Sequence, residues 1–143
     1  MRYPEPLIIP MRKDLTQYGV QETRTPEEVN QALRPGSGTV LMVVNSVCGC
    51  AAGKARPAVG LVLKHQTRPD TAVTVFAGAD LEAVQAVRDL LPGHPPSSPS
   101  MALFRDGKPV FVLHRQQIEN RQADQIAKLL IEAFDQHCVT AKQ

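Results

Sequence analysis

Thr39-Val-Leu-Met-Val-Val-Asn-Ser-Val-Cys-Gly-Cys-Ala-Ala-Gly53 is the stretch from which the rest of the chain can be read. Thr39 to Asn45 is a continuous apolar, β-rich run, the pattern of a central strand covered on both faces. Ala51-Ala52-Gly53 is made of small residues that can wind into a helix. Between them lie two cysteines one residue apart. A cysteine at the first turn of a helix meets unpaired N–H groups and the positive end of the dipole, and both favour its thiolate. Cys48, at the strand end, is expected to be the exposed sulfur and the nucleophile. Cys50, further into the helix, is expected to resolve.

Cα atoms two positions apart are separated by roughly 5.5–7 Å, at or beyond the upper part of the range for a disulfide. A Cys48–Cys50 bond would therefore be strained and easily reduced, with Gly49 supplying the φ freedom it needs. Such a pair suits isomerisation, or removal of a small thiol from another protein's cysteine, better than storage of a stable disulfide. Spacing alone leaves two other readings open. One is half of a metal site, for which His137 and Cys138 offer the compact second half. The other is inert packing.

Working outward, Thr25-Pro26-Glu27-Glu28 is a helix start, with Thr as N-cap, Pro first in the helix and Glu three residues after the cap. The resulting helix ends at Pro35-Gly36. Met11 to Tyr18 reads as a short amphipathic helix ended by Gly19, and Val20 to Thr23 as a brief extended piece. Ala51 to His65 carries a helical apolar face, with Pro57 expected to bend it or to break one backbone bond. Asp70 to Ala77 is a second strand. Asp80 is expected to cap a helix running to Leu91. Met101 to Arg105 and Pro109 to His114 form a hairpin about Asp106-Gly107. A last helix covers about Ala123 to Gln136. From the extended piece onward the order is (β)αβαβαββα, an α/β sandwich around a mixed sheet, with parallel crossovers and an antiparallel edge.

The sequence of 143 residues has 43% hydrophobic and 21% charged residues and a net charge of +2, which fits one soluble domain over 1–143. So small a charge, without Lys/Arg clusters, argues against nucleic-acid or membrane partners. Leu7-Ile8-Ile9 is too short an apolar run for a signal-peptide core, and a cytoplasmic location is expected. In a reducing compartment, close cysteines suggest catalysis or metal binding more than a structural staple.

Ser98-Pro99-Ser-Met-Ala-Leu-Phe-Arg-Asp-Gly107-Lys resembles the thioredoxin segment in which a proline begins the strand before the final hairpin. The resemblance implies a cis Pro99 that faces Cys48, leaves backbone groups free for an extended substrate and keeps metal away. The likeness extends further. Pro10-Met-Arg-Lys-Asp-Leu15, Val44-Asn-Ser-Val-Cys-Gly-Cys-Ala-Ala-Gly53, Ala55-Arg-Pro57, Val73-Thr-Val-Phe-Ala-Gly78, Pro96-Ser-Ser-Pro-Ser-Met-Ala-Leu103 and Phe134-Asp-Gln-His-Cys138 resemble the bacilliredoxin family over nearly the whole chain.

That resemblance implies a thioredoxin-like fold with helices on both faces of the sheet. It also implies a thiol–disulfide oxidoreductase that removes bacillithiol from S-bacillithiolated client proteins. Cys48 would attack the mixed disulfide, and Cys50 or a second bacillithiol would regenerate it. Bacillithiol is then a co-substrate, and neither metal nor organic cofactor is required. A modest disulfide-isomerase activity accompanies the family, and a non-catalytic metal-binding or adaptor domain is the rival reading. Bacillithiol carries a malate moiety, so its site should offer anion binding. The backbone N–H groups from Gly49 to Ala51 are the first candidates, with Lys54 and Arg56 as the nearest cations. Ser46, Ser98 and Ser100 could donate hydroxyls to the same cleft. The four histidines, His65, His94, His114 and His137, have no partner visible in the sequence. Cys138 is open to three roles: a partner in regeneration, an intermolecular disulfide, or one more apolar residue at the end of a packed helix. The last is favoured because free cysteines are commonly buried.

Overall fold

The computed structural model describes residues 2–138. Thr39–Asn45 forms β2, with every residue buried, as the unbroken apolar run requires. Side chains along a strand alternate between faces, and β2 accordingly feeds two cores. Leu41 and Val43 point into one, with Met101, Leu103, Val59, Val62, Ile126, Leu130 and Phe134. Val40, Met42 and Val44 point into the other, with Val29, Val73, Val75, Val84, Val87 and Phe104.

The remaining strands are β1 (Gln21–Glu22), β3 (Thr71–Phe76), β4 (Ser100–Arg105) and β5 (Lys108–Leu113), in the spatial order β1-β3-β2-β4-β5. β3 runs parallel to both β1 and β2, while β4 is antiparallel to β2 and β5 to β4. The helices are α1 (Glu5–Thr16), α2 (Pro26–Ala32), α3 (Arg56–Val62), α4 (Leu81–Asp89), α5 (Arg115–Glu119) and α6 (Ala123–His137). α3 and α6 cover the first core; α2 and α4 cover the second. Among the described residues, no helix is long and apolar enough to cross a membrane.

The expected hairpin forms at Asp106-Gly107, where both residues take positive φ, 51° and 85°. Such a turn matches the twist of the paired strands. Thr25 caps α2 as expected, accepting the Glu28 N–H at 3.2 Å.

Four expectations are corrected. The first helix starts at Glu5, not Met11, and runs through Pro10. Burial of Ile8 against Phe76 and Ala79 outweighs the backbone bond that Pro10 cannot make. The helix after the cysteines does not simply bend at Pro57. Ala51–Ala55 is a π-helical turn in which the Arg56 N–H reaches the Ala51 carbonyl, and α3 begins behind it with Pro57 in its first turn. The wider turn accommodates a ring that would clash with the Gly53 carbonyl in a regular helix. Asp80 makes no cap to α4; its carboxylate accepts from the Phe76 N–H and from Arg12. Finally, α5 was not expected: its five residues bury only Ile118 and leave no periodicity to read.

Candidate active site

β2 ends at Asn45, a buried side chain that ties two segments together. Its amide Nδ2–H₂ donates to the Met11 carbonyl of α1 at 3.1 Å, and its Oδ1 accepts the Ser46 N–H at 2.9 Å. Ser46 is buried too, and its Oγ accepts the Cys48 N–H at 3.1 Å. These two polar side chains set the direction in which the chain leaves the sheet. Cys48 then takes the N-cap position. Its carbonyl accepts from the N–H groups of Ala51 (2.9 Å) and Ala52 (3.1 Å), and its Sγ accepts the Cys50 N–H at 3.3 Å.

Both cysteines are free and half-exposed, with their sulfurs 3.1 Å apart. The pair is electrostatically unequal. The Cys48 thiol is held below its ordinary pKa, chiefly by the hydrogen bond from Cys50. The Cys50 and Ala51 N–H groups and the positive charge of Arg115 act in the same sense, against a smaller opposing effect of burial. The Cys50 thiol is pushed up by that same bond to Cys48, by burial, and by the negative charges of Cys48 and Glu119. The first proton lost from the pair therefore leaves a thiolate on Cys48, with the Cys50 S–H donating to it.

The Ser98–Pro99 bond is cis and Pro99 is buried. Val44 pairs with Ser100 across β2 and β4, which sets Pro99 level with Asn45, where the chain turns towards Cys48. Ser98 lines one open cleft of about 290 Å³ with Tyr3, Ser46, Val47, Cys48, Ala77, Gly78, Arg88 and Arg115. Arg115 reaches the Ser98 carbonyl at 3.3 Å and is ion-paired with Glu119.

A thiolate at a strand-to-helix turn beside a cis-proline is the arrangement found in thioredoxin folds, and the comparisons agree. The chain matches the disulphide isomerase family over residues 3–138. A bacilliredoxin of Salinibacter ruber is 56% identical over 141 residues, covering 96% of this chain and 82% of that protein. A bacilliredoxin of Koribacter versatilis is 51% identical over 136 residues, covering 95% and 94%. The chain belongs to the bacilliredoxin family. Among solved structures, thioredoxin O2 of Arabidopsis thaliana superposes with a TM-score of 0.58 at 13% identity, covering 82% of this chain and 96% of that one. Family and fold together make the chain a thiol–disulfide oxidoreductase.

Within this bacilliredoxin-family site, Cys48, Cys50, Gly49, Ser46, Ser98 and Pro99 lie together around the turn. Other expectations are corrected. The Ala51 N–H is directed at the Cys48 carbonyl and sulfur, and so does not stand free for a ligand's carboxylate. Arg56 is 4% exposed, paired with Asp14 at 3.1 Å and bonded to the Met11 carbonyl at 3.2 Å; it joins α3 to α1 rather than facing the cleft. Lys54 donates to the Glu119 carbonyl, away from the residues that line the cleft. Ser100 points into a separate small hollow with His94, Pro95 and His114, and its Oγ donates to the Ser97 carbonyl.

Three of the histidines have partners: His65 Nε2 lies 2.9 Å from Asp135, and His94 Nδ1 lies 3.0 Å from His114 Nε2. Cys138 bonds to Thr39 and packs on the first core, where burial pushes its thiol pKa up. Thr39 starts β2 and Cys48 follows its end. Six strand steps of about 3.3 Å place Cys138 roughly 20 Å from the active pair. The proposed second half of a metal site is thus remote. Among the described residues, no group of three or more His, Cys, Asp or Glu side chains is placed to hold a metal.

The residue missed in the sequence is Arg115. It stands 67 positions after Cys48 on a helix with no readable periodicity, so nothing local associates it with the cysteines.

Proposed function

We propose that this bacilliredoxin-family chain removes bacillithiol from S-bacillithiolated proteins in a reducing cytoplasm. The Cys48 thiolate attacks the bacillithiol sulfur of the mixed disulfide. A Cys48–bacillithiol disulfide forms as the client disulfide breaks, and the client sulfur leaves as a thiolate that takes up a proton. Cys50, once deprotonated, attacks Cys48 and expels bacillithiol, leaving a Cys48–Cys50 disulfide that a thiol reductant reopens. Alternatively, a second bacillithiol attacks the adduct and leaves as bacillithiol disulfide. Each step exchanges one disulfide for another, so neither metal nor organic cofactor is required.

The observation that carries this reading is the unequal pair of sulfurs 3.1 Å apart, of which Cys48 lines an open cleft. It supplies a ready nucleophile and a reserve thiol within reach. Disulfide isomerisation is the second reading, favoured by the disulphide isomerase family match. The experiment compares release of bacillithiol from a purified client with refolding of a scrambled-disulfide protein. Dethiolation by the wild type is expected to be the faster reaction. Cys48→Ser should abolish it, whereas Cys50→Ser should keep at least a first turnover. Faster refolding than dethiolation would instead make isomerisation the activity.

A further inference from the structure

Arg88 is not used by the chemistry above. It is half-buried near the end of α4, and its guanidinium makes no hydrogen bond or ion pair with any other described residue. It lines the same cleft as Cys48 and Arg115. A guanidinium without a protein partner keeps its N–H donors free for an incoming anion. Among the described residues no Asp or Glu lines that cleft, which leaves the Cys48 thiolate as its anion.

Formation of a disulfide at Cys48 discharges that thiolate. The cleft then holds two guanidinium groups, Arg88 unpaired and Arg115 partly neutralised by Glu119. Guanidinium groups bind carboxylates through paired, parallel hydrogen bonds. A volume of about 290 Å³ suits a small molecule rather than a protein segment. Tyr3 forms part of the cleft's wall, its N–H bonded to the Gly78 carbonyl at 2.9 Å. A Cβ on Gly78 would lie 2.5 Å from the Tyr3 ring, so the glycine lets this wall sit close.

We propose that Arg88 and Arg115 form the specificity site for the small-thiol half of the mixed disulfide, and that they select thiols bearing carboxylates over neutral ones. Arg88 is the discriminating residue, because Arg115 also faces the thiolate. The inference rests on the dethiolation reading and adds to it which small thiols are taken.

The test uses one reporter protein prepared as two mixed disulfides, with the dicarboxylate mercaptosuccinate and with the neutral 2-mercaptoethanol. For the wild type, kcat/KM is expected to be about tenfold higher for the mercaptosuccinyl form. Arg88→Gln, checked for native fold by circular dichroism, should lose most of that ratio, through KM more than kcat. Arg88→Lys should restore part of it. A wild type that treats both disulfides alike overturns the inference and leaves dethiolation standing. So does a preference that survives Arg88→Gln, or an equal loss on both substrates. Failure to reduce either disulfide overturns the dethiolation reading and this inference with it.

Discussion

Cys48 draws its ionisation from two separate stretches of chain, the helix start and α5. The Cys50 thiol and N–H and the Ala51 N–H come from the helix start, the Ser46 hydroxyl fixes the backbone before it, and Arg115 arrives from α5. A thiol whose pKa is lowered gains its reactive form at lower pH. The rate of Cys48 alkylation by iodoacetamide should therefore rise with pH and level off below the value near 8.5 usual for a cysteine. Arg115→Gln removes a positive charge that favours the thiolate, so the inflection should move up. An unmoved inflection would show that Arg115 does not act on the sulfur. Asn45→Ala tests the support beneath: it removes a buried amide that holds the Met11 carbonyl and the Ser46 N–H. A loss of about 1–3 kcal/mol in urea unfolding is expected. The two cysteines, Ser46 and cis-Pro99 were legible because they lie in contiguous motifs. Arg88 and Arg115 were not, since only the folded topology brings them to the cleft.

At the scale of elements, a buried cluster of charges ties α1 to the entrance of α4. Arg12, 6% exposed, makes two bonds of 2.9 Å to Asp80 and further bonds to Glu5 and Glu22, and stacks 5.3 Å from the centre of the Phe76 ring. Burial works against its charge, but the hydrogen bonds and charges of Asp80 and Glu5 outweigh that and hold the guanidinium protonated. Arg12→Met leaves the Asp80 carboxylate buried without its main partner and should cost about 3–5 kcal/mol in the same urea assay. Adding Asp80→Asn should recover part of the loss; a single-variant loss below about 1 kcal/mol would deny the tie its importance. The sequence showed Asp80 as a cap because Asp before an apolar periodic run has that local meaning. Arg12, 68 residues away, took the carboxylate instead. Pro10 misled for a related reason: a local rule assigns proline to helix ends, whereas a fully buried Ile8 keeps one inside α1.

At the scale of the molecule, one sheet carries the redox site at one end of its central strand and the half-buried Cys138 thiol at the other. β2, β3 and the Asp106-Gly107 hairpin were readable because strand burial and turn chemistry are local signals. Two-residue β1 was not bounded well, since so short an edge strand leaves almost no pattern. The length of β2 gives Cys138 its consequence: at roughly 20 Å it cannot reach a Cys48 adduct within one chain. Cys138→Ser should leave the dethiolation rate within about twofold of wild type, whereas a larger fall would require Cys138 to take part in regeneration.

The central claim concerns which sulfur attacks. The direct measurement mixes Cys50→Ser protein with an S-bacillithiolated client, quenches with acid and locates the bacillithiol mass by tandem mass spectrometry of the digested chain. The adduct is expected on Cys48 with the client thiol released in equal amount. An adduct on Cys138, or client release with Cys48 unmodified, would contradict the account.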